Sequence, residues 1–124
     1  MFKNILVILI LLLLIDAIWL SYIKDMYMNQ IEIIQKKQVS LNLISAALVY
    51  VLLAFGLYYF TKDEVDIKEK VVKGALLGLV SYGVYDFTNG ALFSDWNMKI
   101  AVADTLWGGI LMGSTAYVSH KLLN

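Results

Sequence analysis

The sequence predicts an all-α integral membrane protein, a bundle of four transmembrane helices. Three observations lead there. Of the 124 residues, 60% are hydrophobic and 16% charged, whereas a soluble domain carries about 25% charged residues. The mean hydropathy is +0.73. The apolar residues fall into four runs, each long enough to cross a ~30 Å hydrocarbon core at ~1.5 Å per residue. The runs cover residues 5–23, 41–60, 71–93 and 98–118, and together they form a single domain over residues 1–124.

The first run opens after Lys3 and Asn4. Asp16 interrupts it and no small-x-small cleavage pattern follows before Lys24, so it reads as a membrane helix rather than a secretory signal. Leu9, Leu12, Leu13, Asp16, Trp19, Leu20 and Ile23 share one helical face, which makes Asp16 and Trp19 neighbours one turn apart. Residues 24–40 are too polar to span. Ile31, Ile33 and Ile34 suggest a short interfacial helix there or an extension of the first span.

The second run carries Ser45, Ala46 and Ala47, small enough for another helix to approach closely. It ends in Tyr58-Tyr59-Phe60, which suits a membrane interface. The connection after it is the most charged stretch. Glu64 with Lys68 and Asp66 with Lys70 stand at the spacing of helical ion pairs.

The third run repeats Gly74, Gly78, Tyr82, Asp86 and Gly90 every four residues, with Tyr85 and Asn89 flanking. The connection at residues 94–97 is short enough to make runs three and four antiparallel neighbours, and it places Trp96 in an interfacial aromatic belt. In the fourth run Ala101, Asp104, Gly108, Leu111, Met112 and Thr115 share a face, with Trp107 one turn beyond Asp104. Gly109 and Gly113 offer a second close-contact surface.

Composition removes several function classes. Ten lysines balance ten acidic residues, so nothing favours nucleic-acid binding. There is no arginine to clamp phosphate or carboxylate in bidentate fashion. There is no cysteine for a disulfide, a thiolate metal site or a nucleophile, and no proline to kink a helix. Lys3, Lys62, Lys68, Lys70, Lys73 and Lys121 fall on one side of the bilayer and Lys24, Lys36, Lys37 and Lys99 on the other. The excess places both termini in the cytoplasm.

The candidate site rests on three acids inside apolar runs: Asp16, Asp86 and Asp104. Each costs about 2.5–3.5 kcal/mol to insert, which marks it as functional by default. Counted from the run ends, each lies roughly 9–11 Å in from the same membrane side. The expectation is that they converge, with Ala47 and Leu48 of the second run at their level. Asn89, Tyr82, Tyr85, Thr88, Trp19 and Trp107 complete the expected pocket. Asp16-x2-Trp19, Asp104-x2-Trp107 and Asp86-x2-Asn89 also echo one another, as a duplicated two-helix hairpin would.

At Asp16-Ala17-Ile18-Trp19-Leu20, at Tyr85-Asp86-Phe87-Thr88-Asn89 with Trp96, and at Asp104-Thr105-Leu106-Trp107-Gly108-Gly109, the chain resembles a family of small bacterial membrane proteins, domain of unknown function 2177. The likeness covers nearly the whole chain. It implies four membrane helices in a bacterial-type cell membrane and lends no mechanism.

Three carboxyls in a low-dielectric site cannot all stay ionised, so protons or a cation must neutralise them. The leading reading is a pocket that binds or transports a small polar or cationic species, with Tyr82, Tyr85, Thr88 and Asn89 as hydrogen-bond partners. Four spans are few for a carrier, so a transporter is expected to be a homodimer in the lipid bilayer. A second reading is a lipid-modifying enzyme using Mg, Mn or Ca held by Asp16, Asp86 and Asp104, since these ions take oxygen ligands. No separate nucleophile–base pair supports it. Zinc is excluded by a single histidine, His120, at a helix end. A third reading is a structural or accessory membrane subunit, its polar groups joining helices at ~0.6 kcal/mol per bond.

Overall fold

The computed structural model describes all 124 residues, folded as four helices with no strand. They are α1 (Phe2–Gln35), α2 (Leu43–Thr61), α3 (Ile67–Leu92) and α4 (Met98–Leu123). The helices run up and down as a bundle. Antiparallel pairing of α1 with α4 follows from three cross-links: Asp16 with Trp107, Trp19 with Asp104, and Gln30 with Asn97.

Residues 24–35 extend α1 rather than forming a separate interfacial helix. At ~1.5 Å per residue its 34 residues reach ~51 Å, well beyond a hydrocarbon core. Buried Gln30 holds the extension in place: its Oε1 accepts the Asn97 backbone N–H at 2.8 Å. The helix stops at Lys36, which turns left-handed (φ 60°) and donates its N–H to the Glu32 carbonyl.

Asparagine side chains start α2 and α4. Asn97 Oδ1 accepts from both Lys99 N (3.0 Å) and Ile100 N (3.2 Å), and Asn42 Oδ1 accepts only from Ser45 N (3.1 Å). Asn97→Ala is expected to cost about 1–2 kcal/mol and Asn42→Ala about half as much. Thermal unfolding in detergent checks this, and an equal cost at both sites defeats the double-donor argument.

The α3–α4 hairpin is the most tightly joined pair. Both glycine series lie in this one interface. A Cβ on Gly74 would stand 2.9 Å from the Met112 carbonyl oxygen, and one on Gly113 would stand 3.3 Å from Ala75 Cβ. Without side chains there, the two backbones touch.

α2 is held more loosely, mainly along α1. Ser45 and Ala47 are exposed and Ala46 is half-buried, so Ser45 and Ala47 admit no other helix of this chain. What α2 gives the interior is Tyr50, Leu53, Ala54 and Leu57.

The core occupies the half of the bundle nearer the chain termini. Ile8, Leu12, Ala54, Leu57, Leu111, Met112 and Ala116 form it. Toward the other end the interior turns polar, and Asp16, Asp104, Asp86 and Gln30 are buried there. α1 and α2 are long and apolar enough to cross a membrane by themselves. α3 and α4 fall short of that hydropathy because Gly, Ser, Thr, Asn and Asp interrupt them.

Candidate functional site

Two Asp-x-x-Trp segments face each other across the α1–α4 contact. Each tryptophan donates to the acid of the other helix. Trp107 Nε1 donates to Asp16 Oδ1 at 2.8 Å, and Trp19 Nε1 to Asp104 Oδ1 at 3.1 Å. The two indoles stack between the acids, with centroids 5.3 Å apart and planes 10° from parallel. Antiparallel pairing is what makes the exchange possible: an acid and an indole one turn apart on one helix meet an indole and an acid on the other. The echo of the two motifs brings α1 and α4 together as an inverted clasp.

Further donors complete the set. The Tyr50 hydroxyl of α2 donates to Asp16 Oδ2. Tyr27, one turn beyond Ile23 on α1, donates to Asp86 Oδ1 at 3.5 Å. Asp86 is fully buried, and its carboxyl comes within reach of Asp104. The three acids thus form a ladder. Asp86 and Asp104 meet, and Asp16 sits one turn deeper, beyond the indole stack. No group of three or more carboxylate or imidazole side chains is arranged to hold one metal ion.

No basic side chain pairs with these acids. The two ion pairs of the structure, Lys62–Asp63 and Lys73–Glu64, belong to the α2–α3 connection and the start of α3. Every hydrogen-bond donor to the three carboxyls is a neutral indole or phenol.

Beside the clasp lies a cavity of about 390 Å³, walled by all four helices. Of the residues singled out in the sequence, Asp16, Asp104, Trp19, Tyr82 and Tyr85 line it. Asp86 and Trp107 stand behind the wall, tied in through Asp104 and Asp16. Thr88 is exposed and Asn89 half-buried, and neither lines the cavity. They sit three and four positions beyond Tyr85 on α3, toward the hairpin turn. Ala47 and Leu48 are absent from the wall, where α2 contributes Val49 and Leu53.

Several residues at or beside the cavity were not expected from the sequence, four of them polar groups of α1 and α2: Lys24 and Tyr27 on the α1 wall, Tyr50 on α2, and Gln30, which ties α1 to the start of α4. Three of them have a legible signal. The face that carries Asp16, Leu20 and Ile23 continues with Tyr27 and Gln30 at the same period, and Lys24 lies beside it.

Trp96 is only 6% exposed, packed edge-on against Tyr27 and Tyr85, so it caps the polar interior instead of sitting in an outer belt. Its Nε1, Gln30 Nε2 and Asp86 Oδ2 are buried without a partner.

The arrangement defines a helical membrane-type protein whose polar groups are gathered in the bundle interior. The family described as "Predicted membrane protein (DUF2177)" matches residues 1–120, and the chain belongs to it. No curated protein and no solved structure matches the chain.

Proposed function

We propose that the protein crosses a bacterial-type cell membrane four times, as one domain with both termini in the cytoplasm, and binds a small organic cation in the cavity between its helices. The spanning of α3 and α4 is supported by their exposed residues. On α3 these include Val72, Leu76, Val80 and Val84, and on α4 Val102, Leu106 and Ile110, each set repeating every four residues. The polar residues that lower the hydropathy of both helices mostly face inward, so the lipid meets apolar stripes.

One observation carries the cation reading: buried carboxyls with no basic partner line a cavity whose walls are aromatic. Asp16 and Asp104 supply negative charge, and Trp19, Tyr27, Tyr82 and Tyr85 supply ring faces and edges. Carboxylate and aromatic ring together are the two groups that attract a poorly hydrated cation, the ring contributing ~0.5–2 kcal/mol. The cavity falls within the ~300–1,000 Å³ usual for small-molecule sites. Exposed Lys24 also lines it and is long enough to keep its ammonium in water. At the cavity edge that positive charge opposes the entry of a cation.

Titration of benzyltrimethylammonium into the protein in nanodiscs, followed by tryptophan fluorescence, tests this. Saturable binding is expected, weakened tenfold or more (~1.4 kcal/mol) by Asp104→Asn. Lys24→Gln is expected to tighten it. Weaker binding in Lys24→Gln, or none by the wild type, defeats the cation reading. Liposome flux of the same probe, with and without a pH gradient, separates binding from transport.

A further inference from the structure

A second, smaller cavity opens at the opposite end of the bundle, where the chain termini and the α2–α3 connection meet. Its volume is about 160 Å³, room for about five waters. Asn4 of α1, Tyr58 of α2, Lys62, Lys70 of α3 and His120 of α4 converge on it, and no acidic side chain lines it. Two helices start and two end here, so their dipoles largely cancel and side-chain charge decides the sign.

The sequence alone would neutralise this charge. Asp66 stands four residues before Lys70 and Glu64 four before Lys68, both at ion-pair spacing. Neither pair forms. Asp66 caps α3 instead, its Oδ1 accepting the Lys68 backbone N–H at 3.0 Å. Glu64 turns to Lys73. Lys70 is therefore left half-buried with no ion pair and faces the cavity. Lys62 has one ion-pair partner, Asp63, 4.0 Å away and 90% exposed, and its ammonium also lies 5.6 Å from the centre of the exposed Tyr59 ring. The Asn4 amide and the Tyr58 hydroxyl make no hydrogen bond within the chain and remain free to donate. Exposed Phe2, Phe60 and Leu122 lie at the same end of the bundle.

We propose that this cavity binds a phosphate group, supplied in the membrane by the headgroup of an anionic phospholipid. Lysines and neutral donors converge on a space that no acidic side chain lines, and the exposed apolar residues at this end meet the acyl chains. The site shares no lining residue with the carboxylate cavity and does not depend on the cation reading.

The test is thermal unfolding of the protein in neutral detergent with short-chain phosphatidylglycerol, short-chain phosphatidylcholine or inorganic phosphate. Phosphatidylglycerol is expected to stabilise saturably and phosphatidylcholine much less. Lys70→Gln is expected to raise the half-saturating lipid concentration about tenfold, and Lys62→Gln with Lys70→Gln to abolish the effect. Lys68→Gln, two residues after the Asp66 cap and outside the cavity, leaves it unchanged. Equal protection by inorganic phosphate, lost in the same double variant, keeps the phosphate site and assigns its source to solution. An unaltered lipid response in the double variant, or an equal loss in Lys68→Gln, overturns the proposal.

Discussion

Gly78→Ala is expected to separate α3 from α4 and to cost about 3 kcal/mol or more. A Cβ at that position would stand 2.0 Å from the Gly108 carbonyl oxygen, 2.6 Å from its carbonyl carbon and 2.8 Å from Met112 Cγ. The first two are backbone atoms, so no rotamer change relieves the clash. The helices must part, and the tightest contact of the bundle is lost with them. Gly56→Ala is the control. Its Cβ would meet only Leu77 Cδ2 at 3.6 Å, an ordinary contact. That variant is expected to gain up to ~1 kcal/mol from helix propensity. Thermal unfolding in one detergent measures both, and similar melting temperatures would remove the argument for backbone contact.

The same interface positions the cavity. A Cβ on Gly108 would press into the Tyr82 ring at 2.4 Å, and Tyr82 lines the cavity wall. The glycine at position 108 thus gives the ring the space it occupies. Close packing of α3 on α4 and the shape of the binding space are one feature seen from two sides.

Much of this was legible in the sequence because helical period is a strong signal. The four-residue ridge of Gly74 and Gly78, the Gly109–Gly113 pair and the short turn at residues 94–97 lead directly to the α3–α4 hairpin. Asp16 and Asp104 were legible because an acid in an apolar run is costly. What depth along a helix cannot supply is rotation and inter-helix register. Counting from run ends put three acids at one level, and the structure puts Asp86 against Asp104 with Asp16 a turn deeper. The error at Ala47 and Leu48 has the same source: α2 is rotated so that Tyr50 reaches Asp16. Tyr27 and Gln30 were lost for another reason. The polar residues after Ile23 mark the end of an apolar run, and a helix does not stop where its hydropathy does. The extension stays helical because its inner face is tied to Asp86 and Asn97.

The inverted clasp yields the sharpest energetic test of the polar interior. Trp107→Ala removes a half-buried indole, its stack on Trp19 and its bond to Asp16, leaving that carboxyl with Tyr50 alone. The expected cost is about 3–5 kcal/mol, the range for losing a packed Trp. A cycle of Asp16→Ala, Asp104→Ala and the double variant then asks whether the clasp acts as a unit. The two acids share no hydrogen-bond donor in the clasp, and independent bonds would add. The stacked indoles connect them, however, since each acid holds one member of the stack. Releasing either indole loosens the other, so the second substitution should cost less than the first, with a coupling of at least ~0.5 kcal/mol. Near-ultraviolet circular dichroism supplies an independent reading, because two stacked indoles couple their transitions. The coupled signal should vanish in Trp19→Phe and in Trp107→Phe and persist in Trp96→Phe, whose ring neighbours are Tyr27, Tyr85 and Phe93. Additive costs together with an unchanged spectrum would reduce the clasp to two separate bonds, and the aromatic wall of the cavity would then have no common support.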